Sequence, residues 1–320
     1  MTTNPETVFR RRRRAARVIR RAVIATCAAV MAIVLSVGAL TAAWIAGYRL
    51  PFASGATYLR VQKLAPVGNA VRSGGPNAPF FVLLVGNDSR PGVGGARGDA
   101  LHLLGVNPKL RKATMLDIPR DTCWEGDKIN AANAEGGAAK QAAAVGGLVG
   151  VSVNYAVDVD FDGFLALVDG VGGFQMDVPT AMHDSYSGAY FVPGPQHFSG
   201  IAALAFSRDR HDFPQSDIIR TGNQGLLILA AVKQLQHQMD SAGGQFRLIS
   251  LFYSQMLEHA QLDNLGIGDL YHLGRVLEQI PVSQIRSVTI PTAGGNCLGL
   301  AGSAAGLFSD FRDDAVLESN

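Results

Sequence analysis

Apolar and polar positions follow two different periods along the chain from about residue 80 onward. Apolar runs and short alternating stretches predict strands at residues 80–86, 101–106, 113–118, 154–159, 174–178 and 286–290. Apolar residues at helical spacing predict helices near residues 135–149, 161–173, 200–208, 217–239, 246–259 and 267–280. Residues 181–198, which mix Gly, Pro and aromatic residues, predict a loop or hairpin. Strands that alternate with helices indicate a layered α/β domain.

The N-terminal pattern is different, because a basic block is followed by a long apolar run. Eight arginines lie between Arg10 and Arg21, and residues 22–48 contain no charged residue. These 27 residues exceed the roughly 20 that cross a bilayer as a helix. Arginines before the run place the N-terminus in the cytoplasm and the rest of the chain outside the cell. The alternative is a cleaved signal peptide, although the run is longer than the usual apolar region of such peptides.

Five segments follow from this pattern. They are a cytoplasmic basic tail (1–21), one transmembrane helix (22–48), an extracellular linker rich in Gly, Pro, Ser and Ala (49–78), the main domain (79–240) and a C-terminal helical extension (241–320) that packs on the domain or completes it. The net charge is only +2 and the basic block is explained by membrane topology, so no nucleic-acid partner is required.

Two of the three cysteines, Cys123 and Cys297, belong to the predicted external part of the chain. Two thiols outside the cell favour a disulfide, and two separate buried thiols are the alternative. Cys27 lies inside the apolar N-terminal run.

A polar, glycine-rich loop at residues 86–100 connects two predicted strands. Asp88 and Asp99 both belong to it, and Mg²⁺ typically takes one or two protein carboxylates, with phosphate oxygens and water completing its shell. The loop lies at strand ends, where ligands commonly bind in α/β domains. A metal site is one interpretation, and an ordinary polar surface loop is the other.

Arginines are concentrated at two further places. Arg120 follows Pro119 at the end of a predicted strand, and Arg208, Arg210 and Arg220 precede or open a long apolar helix. The guanidinium fork binds phosphate oxygens in pairs and does not lose its proton. Arg208 and Arg210 can both face such an anion only if their helix ends before Pro214. The alternative is a solvated, charged surface.

Six short motifs then occur in a fixed order: GNDSR, RGDALHL, DIPRDT, DKINAA, SRDR and DIIRTGNQ. Together they resemble the motifs of the LytR-CpsA-Psr family over about residues 80–232. The resemblance implies a central mixed β-sheet flanked by helices, with an apolar pocket for a lipid. It also implies an enzyme, a phosphotransferase that moves an anionic glycopolymer from a polyprenyl-pyrophosphate carrier to a peptidoglycan sugar hydroxyl and forms a phosphodiester bond.

The same resemblance assigns roles by position. Asp88 and Asp99 are expected to bind Mg²⁺, with Mn²⁺ as a substitute. The residues expected to hold the pyrophosphate are Arg97, Arg120, Lys128, Arg208, Arg210, Arg220 and Gln224, among which Arg120, Arg208, Arg210 and Arg220 are the catalytic arginines. Two other functions share these residues: hydrolysis of the lipid pyrophosphate, and binding of polyprenyl phosphate by a non-catalytic regulatory protein.

Several positions depart from the family pattern. Asp117 stands where the family usually has serine, and the resemblance leaves open whether it pairs with Arg120 or joins the metal shell. Gly98 and Ala100 also replace hydroxyl residues. The residue that removes the acceptor proton is not assigned, with Asp117 and Asp121 as the two candidates. The identity of the glycopolymer is likewise open.

Overall fold

The computed structural model describes residues 59–65, 77–89, 96–213, 216–240, 260–295 and 297–318. The predicted cytoplasmic tail and transmembrane helix, most of the predicted linker, and the helix predicted at residues 246–259 lie outside these ranges. Within them, no helix combines the length and the apolar character that a membrane span needs.

Fifteen strands and six helices make up the regular structure of the described residues. The strands are β1 (Leu59–Lys63), β2 (Phe80–Asn87), β3 (Gly98–Asn107), β4 (Lys112–Ile118), β5 (Cys123–Trp124), β6 (Asp127–Lys128), β7 (Tyr155–Val159), β8 (Phe174–Val178), β9 (Met182–Asp184), β10 (Ala189–Phe191), β11 (Gly194–Phe198), β12 (Ala260–Asp263), β13 (Ile285–Thr289), β14 (Thr292–Ala293) and β15 (Gly299–Leu300). The helices are α1 (Ala131–Val149), α2 (Phe161–Gly170), α3 (Gly200–Arg208), α4 (Ser216–Asp240), α5 (Ile267–Gln279) and α6 (Ala304–Asp314).

Seven of these strands form one mixed sheet in the order β12-β1-β7-β2-β3-β4-β13. The pairs β1–β12, β2–β7 and β4–β13 are parallel, and the other neighbours are antiparallel. This arrangement confirms the predicted layered α/β class with a central mixed sheet flanked by helices. In the predicted C-terminal extension, β12 and β13 form the two edges of this sheet, so that part of the chain is not purely helical.

One face of the sheet packs against α1 and α6. Alternate residues of β2, β3 and β4 point to this face, and Leu83, Leu103 and Leu116 are fully buried there. Phe308 and Phe311 from α6 complete this core. The continuous apolar runs in the sequence therefore correspond to strands that are covered by helices on both faces.

The other face of the sheet is covered by α4, which contacts β3, β4 and β13. Beside α4, a second core joins α2, α3 and the strands β8, β10 and β11, with Phe174, Phe198 and Phe206 at its centre. Ser199 caps α3, because its side chain accepts a hydrogen bond from the N–H of Ala202.

The strand directions bring several polar loops to the same end of the central strands, which we call the site edge of the sheet. The carboxyl ends of β2, β4 and β7 and the amino end of β3 all lie at this edge, because β2 and β7 are parallel and β3 is antiparallel to both β2 and β4. Asp88, Asp99 and Arg120 therefore come together although they are distant in the sequence.

Candidate functional site

A cavity of about 510 Å³ lies between the α4-covered face of the sheet and helices α2, α3 and α4. Its inner wall is mostly apolar and includes Leu84, Val157, Phe161, Phe164, Leu227 and Ile228. Seven of the residues predicted for the site also line it: Asp88, Asp99, Arg120, Arg208, Arg210, Arg220 and Gln224. A cavity lined by both arginines and apolar side chains suits an amphiphilic ligand with an anionic head.

Arg120 is the most heavily paired of the predicted arginines. Its Nη1 donates to Asp99 Oδ1 at 2.5 Å, and its Nε lies 3.7 Å from an Asp121 oxygen and 3.8 Å from an Asp217 oxygen. Burial lowers the pKa of Arg120, but the nearby carboxylates, Asp99 first among them, outweigh it and leave the pKa above its usual value. The guanidinium is therefore firmly charged.

Arg220 lies on the first turns of α4 and is 4% exposed. Its Nη2 donates to Asp217 Oδ1 one helical turn earlier. Burial is the main cause that lowers its pKa to about 10; Asp217 opposes the shift, and repulsion from Arg120 and Arg210 adds to it. Because like charges lower the pKa only when they are near, this shift indicates that the three guanidiniums lie close together.

Three of the four arginines have unused donors. The Nε atoms of Arg120, Arg210 and Arg220 are buried and make no hydrogen bond to any other described residue. A buried donor without a partner costs free energy that a bound acceptor recovers. These donors therefore favour an anion with several oxygen acceptors.

The end of α3 explains how Arg208 and Arg210 reach the same cavity. The helix stops at Arg208, and Asp209 has extended backbone angles (φ −61°, ψ 127°). Alternate side chains of an extended segment point to opposite sides, so Arg208 and Arg210 face the cavity while Asp209 is fully buried. Gln224 ties α4 to this turn, since its Nε2 donates to the carbonyl of Ser207 at 2.9 Å.

Two predicted residues lie elsewhere. The Arg97 side chain is exposed and does not line the cavity, although its backbone N–H donates to Asp88 Oδ1 at 3.3 Å. Lys128 is also outside the cavity wall, and its Nζ donates to Asp121 Oδ2 at 2.8 Å. Both residues border the site, and neither contributes to the cavity described above.

The two carboxylates predicted for the cation both belong to the cavity wall. Asp88 follows β2, Asp99 is the second residue of β3, and Asn87 pairs with Gly98 between these strands. Within the described ranges, no three His, Cys, Asp or Glu side chains form a group that could hold a metal. Two carboxylates beside an anion site nevertheless fit a magnesium ion that takes its other ligands from phosphate and water.

Asp117 has partners that the sequence did not predict. It is 1% exposed, and its Oδ1 lies 2.6 Å from His102 Nδ1 while its Oδ2 accepts from Ser287 Oγ at 2.5 Å. The carboxylate faces α4, where Gly225 leaves it room. Asp117 does not line the cavity, and neither contact involves Arg120, Asp88 or Asp99. The signal for its partner was a lone histidine within the apolar run of β3.

A second histidine pair was also absent from the sequence prediction. Asp184, at the end of β9, is 2% exposed, and its Oδ2 lies 3.0 Å from His211 Nδ1. Burial alone raises the pKa of Asp184, but hydrogen bonds from His211 and from the backbone N–H of Tyr186 outweigh it and hold the pKa well below its usual range. Asp184, Tyr186 and His211 all line the cavity.

The predicted cysteine pair lies beside the Arg120 turn. The sulfur atoms of Cys123 and Cys297 lie within bonding distance, and their Cα atoms are 5.2 Å apart, within the usual range for a disulfide. The backbone N–H of Cys123 donates to the Leu298 carbonyl at 2.8 Å, so the two segments are also held by the main chain.

Comparison with known proteins adds the family context. The model of the LytR_cpsA_psr family matches residues 54–304. A curated protein from Bacillus mycoides, named polyisoprenyl-teichoic acid–peptidoglycan teichoic acid transferase TagU, is 36% identical over 162 residues, which cover 49% of this chain and 52% of that protein. The chain thus spans about half the length of the curated relatives it matches.

Two solved structures share the fold. A LytR-Csp2A-Psr enzyme from Actinomyces oris has a TM-score of 0.64 and 20% identity, and the match covers 81% of this chain and 97% of that one. B. subtilis TagV has a TM-score of 0.61 and 24% identity over 76% of this chain and 99% of its own. At these identities the likeness concerns the fold.

Proposed function

Since the chain belongs to the LytR-CpsA-Psr family, we propose that it transfers an anionic glycopolymer from a polyprenyl-pyrophosphate carrier to a sugar hydroxyl of peptidoglycan. The observation that carries this proposal is that Arg120, Arg208, Arg210 and Arg220 all line one cavity whose other lining residues are mostly apolar. The head of the donor carries several negative charges, which the arginines can bind. Its tail is a hydrocarbon, which the apolar walls of the cavity can contact.

The arginines act by binding and by stabilising charge. Phosphoryl transfer depends mainly on positioning and on neutralising the charge that spreads over the phosphate oxygens. Arg220 and Arg210 present buried, unpartnered donors to these oxygens, and Arg120 supplies a charge that nearby carboxylates hold in place. The polyprenyl phosphate that leaves remains an anion, so the same groups stabilise it.

Asp88 and Asp99 are the residues that would hold a divalent cation. When bound, Mg²⁺ or Mn²⁺ supplies positive charge to the pyrophosphate oxygens. Without a cation, Asp99 is a partner of Arg120. Its carboxylate therefore links the cation position to the arginines.

We further propose that residues 22–48 anchor the protein in the cell membrane and that the domain works on its outer side. The basic residues before this apolar run support that orientation. The location also fits the proposed substrates, because a lipid-linked donor lies in the membrane and the acceptor glycan lies outside it.

The decisive experiment offers the full chain a short-chain polyprenyl-pyrophosphoryl sugar, a soluble glycan-strand oligosaccharide and Mg²⁺. We expect mass spectrometry to detect the sugar joined to the glycan by a phosphodiester, together with free prenyl phosphate. Sugar phosphate formed without the joined product would instead identify a hydrolase. Binding of the donor without turnover would identify a lipid-binding protein.

A further inference from the structure

The proposed transfer requires a group that removes the proton of the acceptor hydroxyl. Asp117 and Asp121, the two candidates that the sequence offers, are unsuited to this task. Asp117 is buried beneath α4 and bound to His102 and Ser287. Asp121 accepts from Lys128 at 2.8 Å and does not line the cavity.

Asp184 and His211 form a carboxylate–imidazole pair at the cavity, and its imidazole is 58% exposed, whereas His102, which pairs with Asp117, is 2% exposed. Asp184 is a buried carboxylate that accepts at Oδ1 from the Tyr186 N–H at 2.9 Å, and its Oδ2 lies 3.0 Å from His211 Nδ1. A carboxylate can only accept, so His211 Nδ1 carries the proton and Nε2 is left with a lone pair. The orienting acid and the imidazole are thus arranged as in other acid–base pairs.

Access is the second requirement, and the His211 ring meets it. Its side chain is 58% exposed, and it lines the same cavity as Arg208 and Arg210. The ring of Tyr186 packs on it with centroids 4.6 Å apart, which limits its rotation. An exposed imidazole with limited rotation therefore lines the same cavity as the arginines that would bind the phosphate.

We propose that His211 is the general base of the transfer reaction and that Asp184 is its positioning residue; this rests on the function proposed above. The acceptor O–H bond breaks, its proton moves to His211 Nε2, and the oxygen forms a bond to the phosphorus that carries the glycopolymer. The bond between that phosphorus and the bridging oxygen breaks, and polyprenyl phosphate leaves with the electron pair. Exposed His211 then returns the proton to solvent.

The charges around His211 come from three elements. Asp184 and Tyr186 approach from the β9–β10 hairpin, Arg208 ends α3, and Arg210, Asp209 and Asp212 belong to the following turn. Asp184 stays ionised because its pKa is held low, so it continues to accept from Nδ1 across the working pH range. Burial, followed by repulsion from Asp212, raises the pKa of Asp209 to about 6, but its oxygens are buried away from the cavity.

The test compares variants of two histidines in the full chain. His211→Gln removes the base, and His183→Gln is the matched control, because His183 is exposed on β9 next to Asp184 and packs on Tyr190 outside the cavity. We expect His211→Gln to lower kcat by about 10²- to 10⁴-fold while donor affinity changes less than about threefold. His183→Gln should transfer the short-chain prenyl-pyrophosphoryl sugar at the wild-type rate.

Two further measurements separate a base from a structural residue. Wild-type kcat/KM should be lost in acid, because a protonated imidazole cannot act as a base, and this loss should be absent in His211→Gln. Added imidazole should restore part of the activity of His211→Ala, because a free imidazole can occupy the vacated space beside Asp184.

Three outcomes would overturn the inference. His211→Gln that transfers within threefold of wild type would show that the reaction has no need of this base. Loss of donor affinity in proportion to activity would make His211 a binding residue instead. If the wild-type chain transfers nothing, both the proposed function and the role of His211 are wrong. If wild type and His211→Gln are equally active, only the role of His211 is wrong.

Discussion

Replacing Arg220 with lysine tests whether the arginines act through geometry or only through charge. Without a bound anion, burial and the neighbouring guanidiniums lower the pKa of Arg220 to about 10, below the usual arginine value, which corresponds to a penalty on the order of a few kcal/mol. The folded state binds this proton less tightly than the unfolded chain, so the penalty applies at every pH below about 10, including neutral pH. A bound anion would offset this free-energy penalty, which otherwise lowers the stability of the folded state.

Lysine keeps the charge near neutral pH but loses the planar fork. The same burial would lower the pKa of the substituted lysine below its usual value. The loss measured at pH 7 then reflects one lost charge-assisted hydrogen bond, worth about 1.5–3 kcal/mol. We expect Arg220→Lys to lower transfer by about 10- to 150-fold, and to lose more at alkaline pH, where lysine gives up its proton before arginine does.

Thermal unfolding with a short-chain prenyl pyrophosphate measures the binding part of this effect. At about 100 times Kd, linkage gives about 2.7 kcal/mol, which for a domain of this size raises Tm by roughly 5–10 °C. Arg220→Lys should lose most of this increase, while Arg275→Lys, an exposed arginine on α5, should keep it. A variant at position 220 with the wild-type transfer rate and the full Tm increase would refute the role of the guanidinium fork.

Three other predictions follow from single features of the structure. Chelation should abolish transfer, Mg²⁺ or Mn²⁺ should restore it, and Asp88→Asn should fail at saturating donor; full activity in chelator would exclude a metal role. Peptide mapping without reductant should find Cys123 linked to Cys297, and removing the link should cost at most about 4–5 kcal/mol in urea unfolding; two free thiols would contradict it. Gly225→Ala should destabilise the fold by about 1–3 kcal/mol, because its Cβ would lie 2.5 Å from a buried carboxylate oxygen. Gly274→Ala, where a Cβ meets open space, is the control, and a Gly225→Ala variant as stable as wild type would contradict the clash.

The sequence predicted those parts of the fold that depend on local pattern. The apolar runs at residues 80–86 and 113–118 are strands because both faces of the sheet are covered, and their length and bounding residues already indicate this. The arginines could be grouped because each lies in a motif at the end of a strand or helix. The expected break of the helix after Arg208 is also present, at Asp209.

The sequence did not predict contacts that depend on tertiary packing. Asp184 and His211 are 27 residues apart, and only the packing of the β9–β10 hairpin beside the end of α3 brings them together. The partner of Asp117 depends on strand register, since His102 lies directly opposite it on β3. A register shift of one residue would place them on opposite faces, and apolar patterning alone does not fix a polar pair.

Asp99 connects the cation position to the arginines, and this leads to the last prediction. Its Oδ1 accepts from Arg120 at 2.5 Å, so a cation that binds the carboxylate competes with this contact. The pyrophosphate oxygens offer Arg120 a replacement acceptor. The cation therefore frees Arg120 to bind the donor, and the donor offsets the free energy lost when Arg120 and Asp99 separate. We therefore expect Mg²⁺ to increase the affinity for the donor more in wild type than in Asp99→Asn, as measured by calorimetric titration. The variant controls for complexes that Mg²⁺ forms with the donor in solution. An equal effect of Mg²⁺ on both proteins would show that Asp99 does not couple the two ligands.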